Sequence, residues 1–336
     1  MQRTTLVVPF LGASLALALT ACGSDSKASQ STTPVAATEP AEPAPPPAEP
    51  TPAEPPEPPA PTFLHGKWVW FELRTSNVEK SKAFFSELLG WQIAPQEMGG
   101  ASFEMAKAGG TDVATIVPLE GKGKSHWVPF SSVPDVDASV KTIEEQKGKT
   151  VTPPTDIPNI GRFAVFTDPN GAEFAVFKST GGDLPDAPPA NGTFVWAEYL
   201  TKNKKQHDTA LAFYPTALGY TTSQMQMGEG KAKTTYDMLS SKGPNGQDVP
   251  RAGVQKAKPA SLAGQWLPWV TVDDTDALVA TAKKLKGKVL LKPNDIPTVG
   301  RVAIVADPAG APLGLLKPAM PGQPAEAKPA EGGGGN

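Results

Sequence analysis

The chain has 336 residues, 31 lysines and arginines against 34 aspartates and glutamates, and a formal net charge of −3. Its acidic excess sits before residue 64 and the remainder is near neutral with no basic run, which excludes nucleic acid as an expected partner. Cys22 is the only cysteine, so no intramolecular disulfide forms and stability has to come from packing.

In chain order, residues 1–21 read as a secretory signal: Arg3, an apolar run from Leu6 to Leu19, then small residues, too short a run to favour a membrane span. Leu19, Thr20, Ala21 and Cys22 resemble the bacterial lipobox, which implies a mature chain that begins at Cys22 with a diacylglyceryl group on its thiol. Each buried acyl methylene contributes about 0.8 kcal/mol of membrane affinity, so two or three chains make a durable tether. The alternative is an uncleaved anchor helix with an incidental cysteine. Gly23 follows where an aspartate would favour inner-membrane retention, so the expected place in a Gram-negative envelope is the outer membrane.

Residues 22–63 are rich in Pro, Ala and Glu; Pro34 to Pro61 alone holds 13 prolines and five glutamates. Such a stretch buries no core and favours extended polyproline II, reaching about 85 Å at about 3.1 Å per residue. We read it as a disordered spacer, with a proline-motif ligand or a wall-contacting segment as the alternative. The tail 319–336, ending in four glycines, is expected to be disordered too.

Between them lies an internal repeat. Trp127 to Phe130 recur as Trp266 to Trp269, Asp156 to Pro158 as Asp295 to Pro297, Gly161 and Arg162 as Gly300 and Arg301, and Asp168 to Gly171 as Asp307 to Gly310, all at an offset of 139. Upstream, Trp70 and Glu72 match Trp196 and Glu198 at an offset of 126. The expected domains are residues 64–180 and 193–318, joined by a Pro/Gly/Asp-rich linker at 181–192.

Each copy carries a fainter repeat of its own. Asn77 to Gly90 has the marks of a helix: Asn77 as N-cap, Phe84 and Leu88 on one face, Gly90 as the stop. Asp135 to Gly148 repeats the plan, with Val136, Val140 and Ile143 as its stripe and Gly148 as the stop. Hairpins are predicted at Gly109 and Gly110 and at Asp168 to Gly171. Strand, helix, then several strands, twice per copy, is the pattern of a βαβββ module.

On these residues, and above all on the Trp70 to Leu73 strand, the Phe84, Phe85, Gly90 and Trp91 helix with its exit, and the Asp168 to Gly171 turn, both copies resemble the vicinal oxygen chelate superfamily of glyoxalases, bleomycin-resistance proteins and extradiol dioxygenases, in its tandem-domain branch. The resemblance implies an α+β fold of two tandem domains, each of paired βαβββ modules curling around a cleft. It also implies metal stations on the first strand of each module and on its last. Those positions hold Trp70, Val128 and Ala175 in the first copy and Trp196, Leu267 and Gly314 in the second, none of which ligates a divalent ion. No metal and no cofactor is therefore expected. The alternative is a site displaced by two residues, on Glu72, His126 and Glu173; the second copy offers only Glu198, Gln265 and Pro312 there.

Other chemistry lacks support. Gly123 to Ser125 ends like a phosphate-binding loop, but Pro118 stands where its first glycine is required. His65, His126 and His207 have no ligand spacing, and no serine sits in a nucleophile elbow. The remaining candidates are two binding clefts, each with a Trp platform beside a carboxylate: Trp70 and Glu72 with Arg162, and Trp196 and Glu198 with Arg301. In this reading each Trp stacks on a planar or apolar ligand while Glu and Arg orient its polar group. The competing reading has the Trp filling a collapsed cleft, with Glu and Arg as an ion pair between strands. The expected function is metal-independent binding of a small molecule at the cell envelope. The alternatives are a glyoxalase-like lyase or isomerase or a dioxygenase-type enzyme, and a structural lipoprotein that binds another protein.

Overall fold

Four βαβββ modules follow one another along the chain. A computed structural model describes residues 61–98, 100–227 and 234–319. The signal segment, Cys22, the stalk up to residue 60 and the tail beyond 319 lie outside the described residues, and so do the expectations attached to them.

The first half contains β1 (Trp68–Thr75), α1 (Val78–Leu89), β2 (Gln92–Met98), β3 (Ala101–Ala108) and β4 (Thr111–Pro118), then β5 (His126–Ser132), α2 (Val136–Glu145), β6 (Lys149–Ile157), β7 (Gly161–Thr167) and β8 (Glu173–Ser179). The second repeats it with β9 (Phe194–Thr201), α3 (Lys204–Leu218), β10 (Thr221–Met227), β11 (Thr234–Lys242) and β12 (Asp248–Lys256), then β13 (Gln265–Thr271), α4 (Thr275–Lys284), β14 (Lys288–Ile296), β15 (Gly300–Ala306) and β16 (Pro312–Pro318). In every module the first strand lies parallel to the last, a geometry that needs a crossover, and the helix supplies it. Within each half the two modules join through antiparallel first strands, β1 with β5 and β9 with β13.

Alternation along these strands sorts the side chains. On β1, Phe71 and Leu73 point into a core that runs through both halves, while Trp70 packs on the opposite, cup-shaped face with Val128, Phe130, Val165 and Ala175. The helices lie on the core side, α1 against α4 and α2 against α3, so the two halves pack through their helical layers. Trp127 of β5 and Trp266 of β13, both 1% exposed, pair directly across the junction.

Local chemistry explains the helix ends. Asn77 accepts a hydrogen bond from the Lys80 amide at 3.0 Å, and Gly90 closes α1 with φ of 70°, the left-handed conformation that glycine adopts without strain. Asp135 caps α2 in the same way, accepting from the Ala138 amide at 2.9 Å. The stop of α2 differs from expectation. The helix ends at Glu145 and Lys147, not Gly148, takes the left-handed conformation with φ of 70°. Gly148 serves a different need, because a β-carbon there would lie 2.5 Å from the Ile143 side chain.

The Asp-Pro turns do more than reverse the chain. Asp168 accepts from the Asn170 and Ala172 amides at 2.9 Å and from the Tyr214 hydroxyl of α3, in the other half, at 3.0 Å. Asp307 accepts from the Ala311 amide at 2.7 Å and from the Ser81 hydroxyl of α1, again in the other half, at 2.5 Å. The segment between the halves is tied on both sides. Asp183 accepts from the Leu64 amide and the Ser132 hydroxyl, each at 2.6 Å, and Asp186 pairs with Lys67 at 3.2 Å and Arg251 at 2.7 Å.

Candidate functional site

The cup of the first half is aromatic inside and charged at one end. Trp70, Phe130, Phe163 and Phe177 pack with Val128, Val165 and Ala175, and the Trp70 indole N–H donates to Thr115 of β4 at 3.2 Å. Three positions along the Trp70 face now matter, because alternation sends Trp70, Glu72 and Arg74 the same way. The Arg74 Nε donates to Glu72 at 2.9 Å and its Nη1 to Glu173, the first residue of β8, at 2.6 Å. His126, the first residue of β5, contacts the same Glu173 oxygen at 3.2 Å through Nε2 and the Lys124 carbonyl at 2.9 Å through Nδ1. These four side chains are between 15% and 22% exposed, so the cluster is half-sheltered and within reach of solutes.

Both ring nitrogens of His126 face acceptors, an arrangement suited to the doubly protonated ring. Burial pulls the His126 pKa down, but the Glu173 carboxylate and the Lys124 carbonyl outweigh it and the net shift is up. Burial likewise pushes Glu173 up, and the hydrogen bond from His126 with the charge of Arg74 brings its net shift down.

The cup of the second half is filled by its own side chains. Glu198 is 4% exposed and accepts from the Tyr236 hydroxyl at 2.9 Å and Gln255 at 2.6 Å, while the Trp196 indole donates to Tyr236 at 2.9 Å. Burial pushes the Glu198 carboxyl up, and hydrogen bonds from Gln255, Tyr236 and Trp269 reverse this only in part. Two glycines make the filling possible. A β-carbon on Gly253 would lie 1.7 Å from the Tyr236 hydroxyl, and one on Gly314 would lie 2.3 Å from the Trp269 ring.

Trp70 and Glu72 therefore share the first cup, and Trp196 and Glu198 the second. The arginines singled out by the repeat do not join them. Phe163 and Val165 of β7 face the cup, so Arg162 beside them faces the helical layer, where it donates twice to Asp137 at 2.9 Å and once to Asp156 at 2.8 Å. Arg301 is held in the same manner by Asp276 and by Asp295, the latter at 2.7 Å. Both arginines fasten the first turn of a helix to a hairpin. The arginine in the first cup is Arg74, whose signal was the two-residue step from Trp70 through Glu72. Thr115, Tyr236 and Gln255 carried no such signal, because each enters a cup from a strand distant in sequence.

The six positions read from the sequence as metal stations lie inside the cups. Trp70, Val128 and Ala175 pack together in the first, and in the second Trp196 and Leu267 pack with Trp269, which covers Gly314.

Sequence comparison identifies the family. The profile of the Glyoxalase/Bleomycin resistance protein/Dioxygenase superfamily matches residues 67–176 and again 197–315, and the chain belongs to that superfamily. CFP32 of Mycobacterium tuberculosis, whose name describes it as a glyoxylase, is 34% identical over 260 residues, covering 74% of this chain and 94% of its own. The anthracycline biosynthesis protein DnrV of Streptomyces peucetius is 28% identical over 275 residues, covering 76% of this chain and 94% of its own. Among solved structures, the Mn(II)-bound glyoxalase of Novosphingobium aromaticivorans superposes with a TM-score of 0.50 at 15% identity, covering 76% of this chain and 82% of its own. A variant of homoprotocatechuate 2,3-dioxygenase from B. fuscum reaches 0.51 at 12% identity, covering 78% and 73%. These two show the shared fold.

A divalent ion of the kind bound by that glyoxalase does not fit the residues present here. In the first cup a guanidinium already lies between the two carboxylates. In the second, Glu198 stands among Leu267, Trp269 and Trp196 with no further carboxylate or imidazole on its partners. Among the described residues, no group of three His, Cys, Asp or Glu side chains is arranged to hold a metal ion.

Proposed function

We propose that this chain is an envelope-anchored binding protein that takes a small molecule, without a metal, in the cup of its first half. The observation that carries the reading is the half-buried Trp70 wall ending in the Arg74, Glu72, Glu173 and His126 cluster. An aromatic wall supplies contact area to a planar or apolar body, and a polar end fixes its orientation. Arg74 and His126 engage one oxygen each of Glu72 and Glu173 and leave the other oxygens as spare acceptors, so the favoured ligand presents hydrogen-bond donors. Anchoring through Cys22, with the proline-rich segment as a spacer, belongs to the same proposal and rests on the lipobox.

Native mass spectrometry of the full chain, purified without chelators from its own host, tests this directly. The expected result is a metal-free species carrying extra small-molecule mass, lost in a folded Trp70→Ala variant. A stoichiometric metal with retained mass in Trp70→Ala sinks the reading. The naming of CFP32 as a glyoxylase favours a second reading, a glyoxalase-like lyase or isomerase with Glu72 as the acid–base group. Turnover abolished by Glu72→Gln with binding retained would select it.

A further inference from the structure

We propose that the guanidinium of Arg74 is a built-in cation, standing between Glu72 and Glu173 beside His126, two residues along the strands from the positions of the family's metal stations, and that it keeps the first cup closed to metals. The inference rests on the metal-independent reading of that cup and supplies its cause. Glu72, His126 and Glu173 are residue types that bind divalent ions, and they come from β1, β5 and β8. Arg74 reaches one carboxylate at 2.9 Å and the other at 2.6 Å, and His126 meets the second at 3.2 Å. Two half-buried carboxylates of like charge are unfavourable without a cation beside them. Arginine supplies one that neither loses its proton nor dissociates.

The second half is an internal control. Strand register places Leu200 where the first half has Arg74, and Gln265 and Pro312 where it has His126 and Glu173. Two of its three partners, His126 and Glu173, disappear with the arginine. The one carboxylate left, Glu198, is buried under Tyr236 and Gln255 and no longer faces a cation. The second carboxylate and the imidazole are thus present only in the half that has the cation.

The test titrates Mn(II) into the full chain and follows free Mn(II) by electron paramagnetic resonance, with circular dichroism as the control for folding. Wild type is expected to show no saturable binding, whereas Arg74→Ala binds one equivalent at least about 100-fold more tightly. Adding Glu173→Gln to Arg74→Ala is expected to abolish the gain, and Arg74→Lys, which keeps a cation, to show none. If Arg74→Ala does not fold, Arg74→Gln takes its place with the same expectation. Saturable binding by wild type overturns both the built-in cation and the metal-independent reading. A folded Arg74→Ala or Arg74→Gln that binds no better than wild type overturns the built-in cation alone, as does a gain that survives Glu173→Gln.

Discussion

Glu198 carries a carboxyl group to a place where 4% of the residue meets solvent, and this decides how it behaves with pH. Burial raises its pKa, since desolvation outweighs the bonds from Gln255, Tyr236 and Trp269. A carboxyl raised on folding contributes stability that is fully present below its unfolded value, about 4.3, and is lost as pH rises through the folded value. Glu198→Gln removes the titration and keeps an oxygen for Tyr236 and Gln255 to bond. Relative to wild type, the variant is therefore expected to gain thermal stability by a few degrees as pH rises from about 4 to about 8. Scanning calorimetry across that range checks it, and a difference independent of pH would contradict the assignment.

Strand pairs show how the two cups were built to different fillings from one pattern. Phe130 of β5 lies beside Ala175 of β8, and at the repeat positions Trp269 of β13 lies beside Gly314 of β16. A larger ring on one strand goes with a smaller residue on its neighbour, so each pair conserves volume. Phe130→Trp alone is expected to cost about 1–3 kcal/mol by overpacking. Adding Ala175→Gly should return part of that loss, with a coupling energy above about 0.5 kcal/mol in a double-mutant cycle measured by urea unfolding. Additive effects would mean that the rings do not compete for the same space. The helix ends teach a related lesson about neighbours. Gly90 is legible as a stop from local chain geometry, whereas Gly148 is dictated by the nearby Ile143 side chain.

The whole molecule is held by reciprocal contacts between its halves. The Asp168 turn of the first half bonds α3 of the second, the Asp307 turn of the second bonds α1 of the first, and Trp127 meets Trp266 between them. A single core runs through both halves. The halves are accordingly expected to unfold in one cooperative transition. Asp168→Ala removes acceptors for the Tyr214 hydroxyl and two backbone amides, and should lower the stability of both halves together by about 2–3 kcal/mol. Calorimetry that resolved two transitions, only one of them moved by Asp168→Ala, would contradict this coupling.

How much could be read without the structure follows from the range of the forces involved. Helix caps at Asn77 and Asp135, the hairpins, the alternation that puts Trp70 and Glu72 on one face and the duplication were all legible, because each is written in residues a few positions apart or in a repeat of them. The superfamily followed from the same marks. The partners of the charged groups were not legible. Arg74 and Glu173 are 99 residues apart, and Arg162 and Asp137 are 25 apart, so only the closing of one strand on another shows that the first pair shares a cup and the second lies behind it. The sequence by itself determined the modules, their number and the faces of their strands, since these depend on local periodicity. The tertiary structure alone decided that Arg74 sits between two carboxylates, that Arg162 and Arg301 fasten helices, and that Glu198 is buried, because the state of a charge depends on every group that folding brings around it.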